Sequence, residues 1–224
     1  HSLATGADMS SGTITYVEAL TLASEASVTL SAAQNQNFTG TITAAGSGVG
    51  GEKITIAGDG AVTVLSNIET YELGDDTTNA RALTIGSTAL NLIANNASDT
   101  VTVNAAALAQ NTALTIATTS DSALVVNSLA GDLVASNLSG SLAVTTATAA
   151  DNGISITTGS AAISVNVATG AASDTVSINA ATLANNIALT VTSGGGAAGI
   201  VNVADLTGNL VVSNPTSGTI GVAV

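Results

Sequence analysis

The sequence predicts an all-β fold, a β-solenoid of stacked, parallel β-helix-like coils. Three observations carry that expectation: short runs with strand alternation, a long internal repeat, and a near absence of bulky side chains. Ala 42, Thr 34, Ser 24, Gly 23 and Asn 19 account for most of the 224 residues. The aromatic residues are Tyr16, Phe38 and Tyr71, and Trp and Cys are absent.

The alternating runs come first along the chain. They are GTITY at 12–16, TGTIT at 39–43, KITIA at 53–57, DTVTV at 99–103, ISI at 154–156 and DTVSI at 174–178. Ile and Val alternate with Thr and Ser, the period of a strand with one buried face. In DTVTV, Val101 and Val103 are expected inward and Thr100 and Thr102 outward. Clusters such as AGDG at 57–60 and TSGGG at 192–196 supply the turns between runs. NAAALAQN at 104–111 and NAATLANN at 179–186 are each long enough for about one helical turn.

The repeat sets the organisation. Ser98 to Ile116 aligns without gaps to Ser173 to Val191 at an offset of 75, with 13 of 19 positions identical. GSTALNL at 86–92 matches GSAAISV at 159–165, and GDLVASN at 131–137 matches GNLVVSN at 208–214, with small shifts in offset. Residues 81–152 and 153–224 thus read as two copies of one unit, and residues 1–80 as a β-rich N-terminal portion or cap. An offset of 75 divides equally well into three coils near 25 or four near 19.

Tandem immunoglobulin-like sandwiches are the alternative, since they hold about seven strands in a similar length. Their sheets pack about 10 Å apart and need large side chains between them. The two repeat copies contain no aromatic residue. Narrow coils filled by Val, Leu, Ile and Ala suit the composition better. The recurring asparagines, Asn104, Asn127 and Asn137 in one copy and Asn179, Asn202 and Asn214 in the other, are candidates for turn ladders.

Charge excludes whole classes of partner. The net charge is -13, with Lys53 and Arg81 the only Lys or Arg, so nucleic acid and anionic membrane surfaces are not expected as partners. No apolar run reaches the roughly 18 residues of a membrane span. The start, HSLATGADMS, has no Met at position 1 and no signal-peptide pattern, which reads as an excised or processed piece with His1 a tag or cleavage remnant.

Carboxylates are the plentiful ionisable groups. The densest set is NIETYELGDD at 67–76, where strand geometry sends Glu69 and Glu72 to opposite faces. Asp75 and Asp76, in the expected turn, and Asp99 and Asp174, at equivalent positions of the two SDTV segments, are the candidate metal ligands. Calcium is the metal that oxygen-rich, thiol-free chemistry selects. The other reading of these residues is a solvated turn for Asp75 and Asp76 and local backbone capping for Asp99 and Asp174. The tandem G-G-x-G-x-D nonapeptides of calcium β-rolls are missing.

An enzyme is not expected. Lyase or hydrolase chemistry on polysaccharides needs cations or a closely spaced acid pair, and no Ser-His-Asp set or phosphate-binding Gly-Lys loop is present. Threonine pairs such as Thr13 with Thr15, Thr41 with Thr43 and Thr100 with Thr102 leave open a flat carbohydrate- or ice-binding face. Their alternative explanation is ordinary β propensity.

NIETYELG at 67–74, LSAAQNQNFTGTITAAG at 30–46 and the paired SDTV-x-x-NAA segments resemble the β-strand repeats of bacterial cell-surface and secreted proteins, including S-layer proteins and type I-secreted calcium-dependent adhesins. The resemblance implies an extracellular location at a bacterial cell surface and calcium dependence. It also implies a homo-oligomer or polymer built as a layer, filament or adhesin stalk, with cell-surface glycan as a further partner.

Overall fold

The structure is a computed structural model in which residues 2–3, 6–14, 20–38, 42–44, 51–65, 68–74, 80–94, 99–117, 120–148, 153–168, 175–193, 200–213 and 221–223 are described. The chain winds as a β-solenoid, all-β with parallel stacked coils. Strands are numbered along the chain, and those of even number form one 11-stranded sheet. They are β2 (Ala7–Asp8), β4 (Ser27–Ser31), β6 (Lys53–Ala57), β8 (Thr70–Leu73), β10 (Leu90–Ala94), β12 (Ala113–Ile116), β14 (Asp132–Val134), β16 (Ile154–Thr157), β18 (Thr175–Asn179), β20 (Ile200–Ala204) and β22 (Gly221–Ala223).

Odd strands form the other wall. An 8-stranded sheet contains β7 (Ala61–Thr63), β9 (Ala80–Thr84), β11 (Thr100–Asn104), β13 (Ala123–Leu129), β15 (Leu142–Thr146), β17 (Ile163–Val167), β19 (Ala188–Ser193) and β21 (Asn209–Ser213). At the N-terminal end β1 (Ser2–Leu3), β3 (Leu20–Leu22) and β5 (Ile42–Ala44) make a 3-stranded sheet. Strands pair with the strand two positions away and always in parallel, as in β4 with β6 and β11 with β13. That overturns the immunoglobulin-like alternative, whose sandwiches are antiparallel.

Alternation sorts the residues as the sequence predicts. Val101 and Val103 are buried while Thr100 and Thr102 face outward. Stacking then places like on like. Val28, Ile54, Tyr71, Leu92 and Ile116 follow one another in register through the larger sheet, all buried. Each such aliphatic side chain removed from water contributes about 1.5–3 kcal/mol, so the column of coils supplies most of the stability.

Coil length varies from 17 residues, between Ile54 and Tyr71, to 26, between Val28 and Ile54. Small polar side chains absorb the variation at the corners. Asn137 Nδ2 donates to the Ile116 carbonyl at 3.0 Å, and Ser139 Oγ to the Ser120 carbonyl at 3.1 Å. Thr182 Oγ1 and Thr207 Oγ1 donate to the carbonyls of Thr158 and Leu183. These bonds satisfy backbone groups that the strand ladders leave over. The abundance of Ser, Thr and Asn therefore has a structural use beyond the strands.

The internal repeat is neither three coils nor four. Seven steps along the 8-stranded sheet run from Val62 through Leu83, Val103, Val126, Val144, Val165 and Val191 to Val212, a span of 150 residues and twice the offset of 75. One unit is three and a half coils. Accordingly β11 in one sheet corresponds to β18 in the other, β12 to β19, and β14 to β21.

Local structure is preserved through that exchange of faces. Asn104 Oδ1 accepts from the Ala106 N–H at 3.2 Å, and Asn179 Oδ1 from the Ala181 N–H at 3.0 Å. Asn111 and Asn186, also 75 apart, both have positive φ, at 57° and 66°. The NAAALAQN and NAATLANN segments are therefore tight corners with an Asn turn, and not helical turns. Asn104 and Asn179 cap their own corners, whereas Asn137 reaches the preceding coil; Asn104 and Asn127 are register neighbours, and Asn179 lies opposite Ala204.

One helix was not anticipated. α1 (Ala32–Asn37) follows β4, and its capping box joins Ser31 and Gln34: the Gln34 N–H donates to Ser31 Oγ at 3.2 Å and the Ser31 N–H to Gln34 Oε1 at 2.7 Å.

The corners tolerate no Cβ at equivalent glycines. A Cβ on Gly131 would lie 2.5 Å from the Ala109 carbonyl oxygen, and one on Gly208 would lie 2.4 Å from that of Ile187. Gly131→Ala and Gly208→Ala should each destabilise by about 1–3 kcal/mol through overpacking. Gly86→Ala, which meets nothing within 4 Å, should be close to neutral. Urea unfolding of the three variants tests this, and equal midpoints would refute the close-packed corners.

Candidate functional surface

Of the four expected metal ligands, one lies among the described residues. Asp75, Asp76 and Asp174 lie outside the described residues. Asp99 sits immediately before β11 and is 3% exposed. The described parts of the two SDTV segments, in β11 and β18, belong to different sheets. Among the described residues no group of three or more His, Cys, Asp or Glu is placed to hold a metal ion.

The two cations are also apart. Lys53 faces out from β6 and its Nζ lies 2.6 Å from Glu72 Oε2 on β8, a partly exposed pair worth roughly 0–1 kcal/mol. Arg81 points inward from β9, is 2% exposed, and donates to the carbonyls of Gly58 and Gly74. Those two residues follow β6 and β8, so the guanidinium ties successive corners together. Lys53 and Arg81 stand on different sheets and make no common basic site.

Sequence reading placed Glu69 and Glu72 on opposite faces, and they are. What it did not find is the partner of Glu69. Glu52, 2% exposed, precedes β6 as Glu69 precedes β8, and the two stack on consecutive coils. The Glu52 N–H donates to Glu69 Oε2 at 3.1 Å. Burial is the main cause that raises the Glu69 carboxyl above its usual 4.5, reinforced by the hydrogen bond and negative charge of the Glu52 carboxyl. The unequal coil lengths hide this pair, because no fixed spacing links 52 to 69.

The N-terminal edge of the 8-stranded sheet is closed by α1. Asn35 Nδ2 donates to the Thr63 carbonyl at 2.8 Å and Gln36 Nε2 to that of Ala61 at 2.7 Å, so two carbonyls of β7 find partners in side-chain amides. Behind them, the buried Tyr71 hydroxyl donates to Asn35 Oδ1 at 3.1 Å and accepts from the Leu65 N–H at 3.0 Å. An exposed strand edge invites pairing with another chain, and a helix over it prevents that.

The two outer faces differ in charge. On the 11-stranded sheet Asp8, Lys53, Glu72 and Asp132 occupy outward or exposed positions. On β7 to β21 of the 8-stranded sheet every outward residue is Ala, Val, Thr, Ser or Asn. Thr63, Thr84, Asn104 and Asn127 stand in one row, and Thr145, Asn166, Thr192 and Ser213 in another. The register shifts between them at Val126 and Leu129. Within the second row Thr192 Oγ1 and Asn166 Oδ1 are 3.3 Å apart. This neutral face is the distinctive surface of the described residues.

Comparison with protein-family models, curated proteins and solved structures yields no match to this chain.

Two predictions follow from the polar groups inside the coils. A raised carboxyl stabilises the fold fully below the ordinary glutamate range and loses that contribution as pH rises through the raised value. The urea midpoint of the parent chain should therefore fall, relative to that of Glu69→Gln, as pH rises above the ordinary glutamate range; parallel pH profiles would refute the coupling. Tyr71→Phe leaves Leu65 N–H and Asn35 without their buried partner and should cost about 1–3 kcal/mol. Hydrogen exchange at the Leu65 amide is expected to speed up with it, and an unchanged rate would count against the hydroxyl's role.

Proposed function

We propose that this chain is a structural, non-enzymatic segment of an extracellular, bacterial cell-surface protein. It builds a layer, filament or adhesin stalk by self-association. The observation that carries the reading is a continuous solenoid whose corners and core are spent on stacking coils, with one neutral outer wall. Side chains that elsewhere would serve chemistry are here committed to the frame: Arg81 to corner carbonyls, Asn35 to a strand edge. The resemblance of the repeats to surface-layer and adhesin sequences supports the same role. It also brings calcium into the proposal, with Asp75, Asp76, Asp99 and Asp174 as the oxygen donors.

A second reading is favoured by the two rows of Thr, Asn and Ser on the 8-stranded sheet. They offer neutral donors and acceptors on a flat surface, which suits an uncharged glycan. Ice binding has less support, because Thr102 stands between Ala82 and Val125 in its own column.

Electron microscopy of the purified chain with and without millimolar calcium separates these readings. Elongated particles joined into larger assemblies are expected, more of them with calcium. Isolated monomers under both conditions would sink the assembly proposal, and binding to a neutral glycan array by those monomers would favour the second reading.

A further inference from the structure

We infer that the outer face of the 8-stranded sheet is the surface through which two copies of this chain pack, sheet against sheet. The inference rests on the self-association proposed above and names the wall that carries it.

Charge is the first argument. Two copies of a chain with net charge -13 repel each other, and the repulsion is least where no charge faces the partner. The outward positions of β7 to β21 carry none, whereas the opposite wall presents Asp132, Asp8 and the Lys53–Glu72 pair. A like copy is the partner that this wall is least able to repel.

Shape is the second. The central outward column runs in register through Ala82, Thr102, Val125, Ala143, Ser164 and Thr190. These are short side chains on neighbouring parallel strands, so the face is flat and loses little rotamer entropy when covered. Strands about 4.8 Å apart and about 3.3 Å per residue give eight strands of five residues an area of roughly 630 Å². Two such faces bury about 1,250 Å², near the lower bound of a specific interface, as suits a contact repeated along an assembly.

The third argument concerns the head-to-tail geometry. Head-to-tail continuation of this sheet would need the edge of β7, and α1 occupies it through Asn35 and Gln36. Lateral packing leaves that cap in place.

Because the chain has no cysteine, a single introduced thiol reports which wall meets its mate. Ser164→Cys lies on the proposed face and Ser177→Cys on the outer face of the other sheet, both exposed. Under mild oxidation Ser164→Cys should give disulfide-linked dimers and Ser177→Cys few. The double variant Thr102→Asp, Ser164→Asp should weaken self-association by about tenfold or more in sedimentation equilibrium, as opposed like charges do. The matched pair Thr115→Asp, Ser177→Asp should leave it unchanged, and circular dichroism melting checks that all variants are folded. Assemblies that cross-link equally or better through Ser177→Cys would overturn the face assignment and leave self-association standing. A chain that stays monomeric at every concentration overturns both. Monomers retarded by a neutral polysaccharide gel, with retardation lost in Thr102→Asp, Ser164→Asp, would give the face to a glycan and overturn the inference.

Discussion

Everything in this molecule depends on the parallel ladder between one coil and the next. A strand here has no hairpin partner nearby in sequence; its hydrogen bonds go to a segment roughly one coil away, and its inward side chains rest on their counterparts there. In-register stacking therefore imposes a like-on-like rule, in which a column such as Val28, Ile54, Tyr71 and Leu92 must stay apolar from coil to coil. Exceptions to the rule are conspicuous for that reason. Glu52 and Glu69 occupy such a column between Ala26 and Leu90, and they coexist because each is the other's neighbour.

The same ladder explains what the sequence discloses and what it hides. Alternation within a strand is local, so KITIA and DTVTV announce themselves, and their buried and exposed faces follow from the pleat. Stacking is remote, with spacings from 17 to 26 residues, and no constant period survives to tell which residues meet. That is why the Glu52–Glu69 contact and the Asn35–Tyr71–Leu65 network could not be read from the chain. The capping box at Ser31 and Gln34 was legible in principle, since S-x-x-Q is a helix-start pattern. Its helix is short and sits in an Ala- and Asn-rich stretch that also reads as a turn.

Of the expected cation-binding residues, sequence identified carboxylates near turns without their relation in space. Residues equivalent by repeat are not neighbours, and neighbours are not equivalent by repeat. The neutral wall was equally out of reach, because its outward residues come from eight separate segments whose common side is fixed only once the coil count is known. What sequence did supply was the composition from which such a wall can be made: short, uncharged side chains with few rotamers to lose.

The three-and-a-half-coil unit has a further consequence for how such a chain can grow. Adding one more unit rotates every inherited surface feature to the far side of the rod, and only the second addition brings it back. The true translational period is thus 150 residues, or seven coils, about 34 Å along the axis at ordinary strand spacing. A patch encoded once in the unit becomes, on repetition, two staggered rows on opposite sides. Unequal mutation of the copies is then what gives one side a character of its own, as Asp132 on one wall and its repeat equivalent Asn209 on the other illustrate.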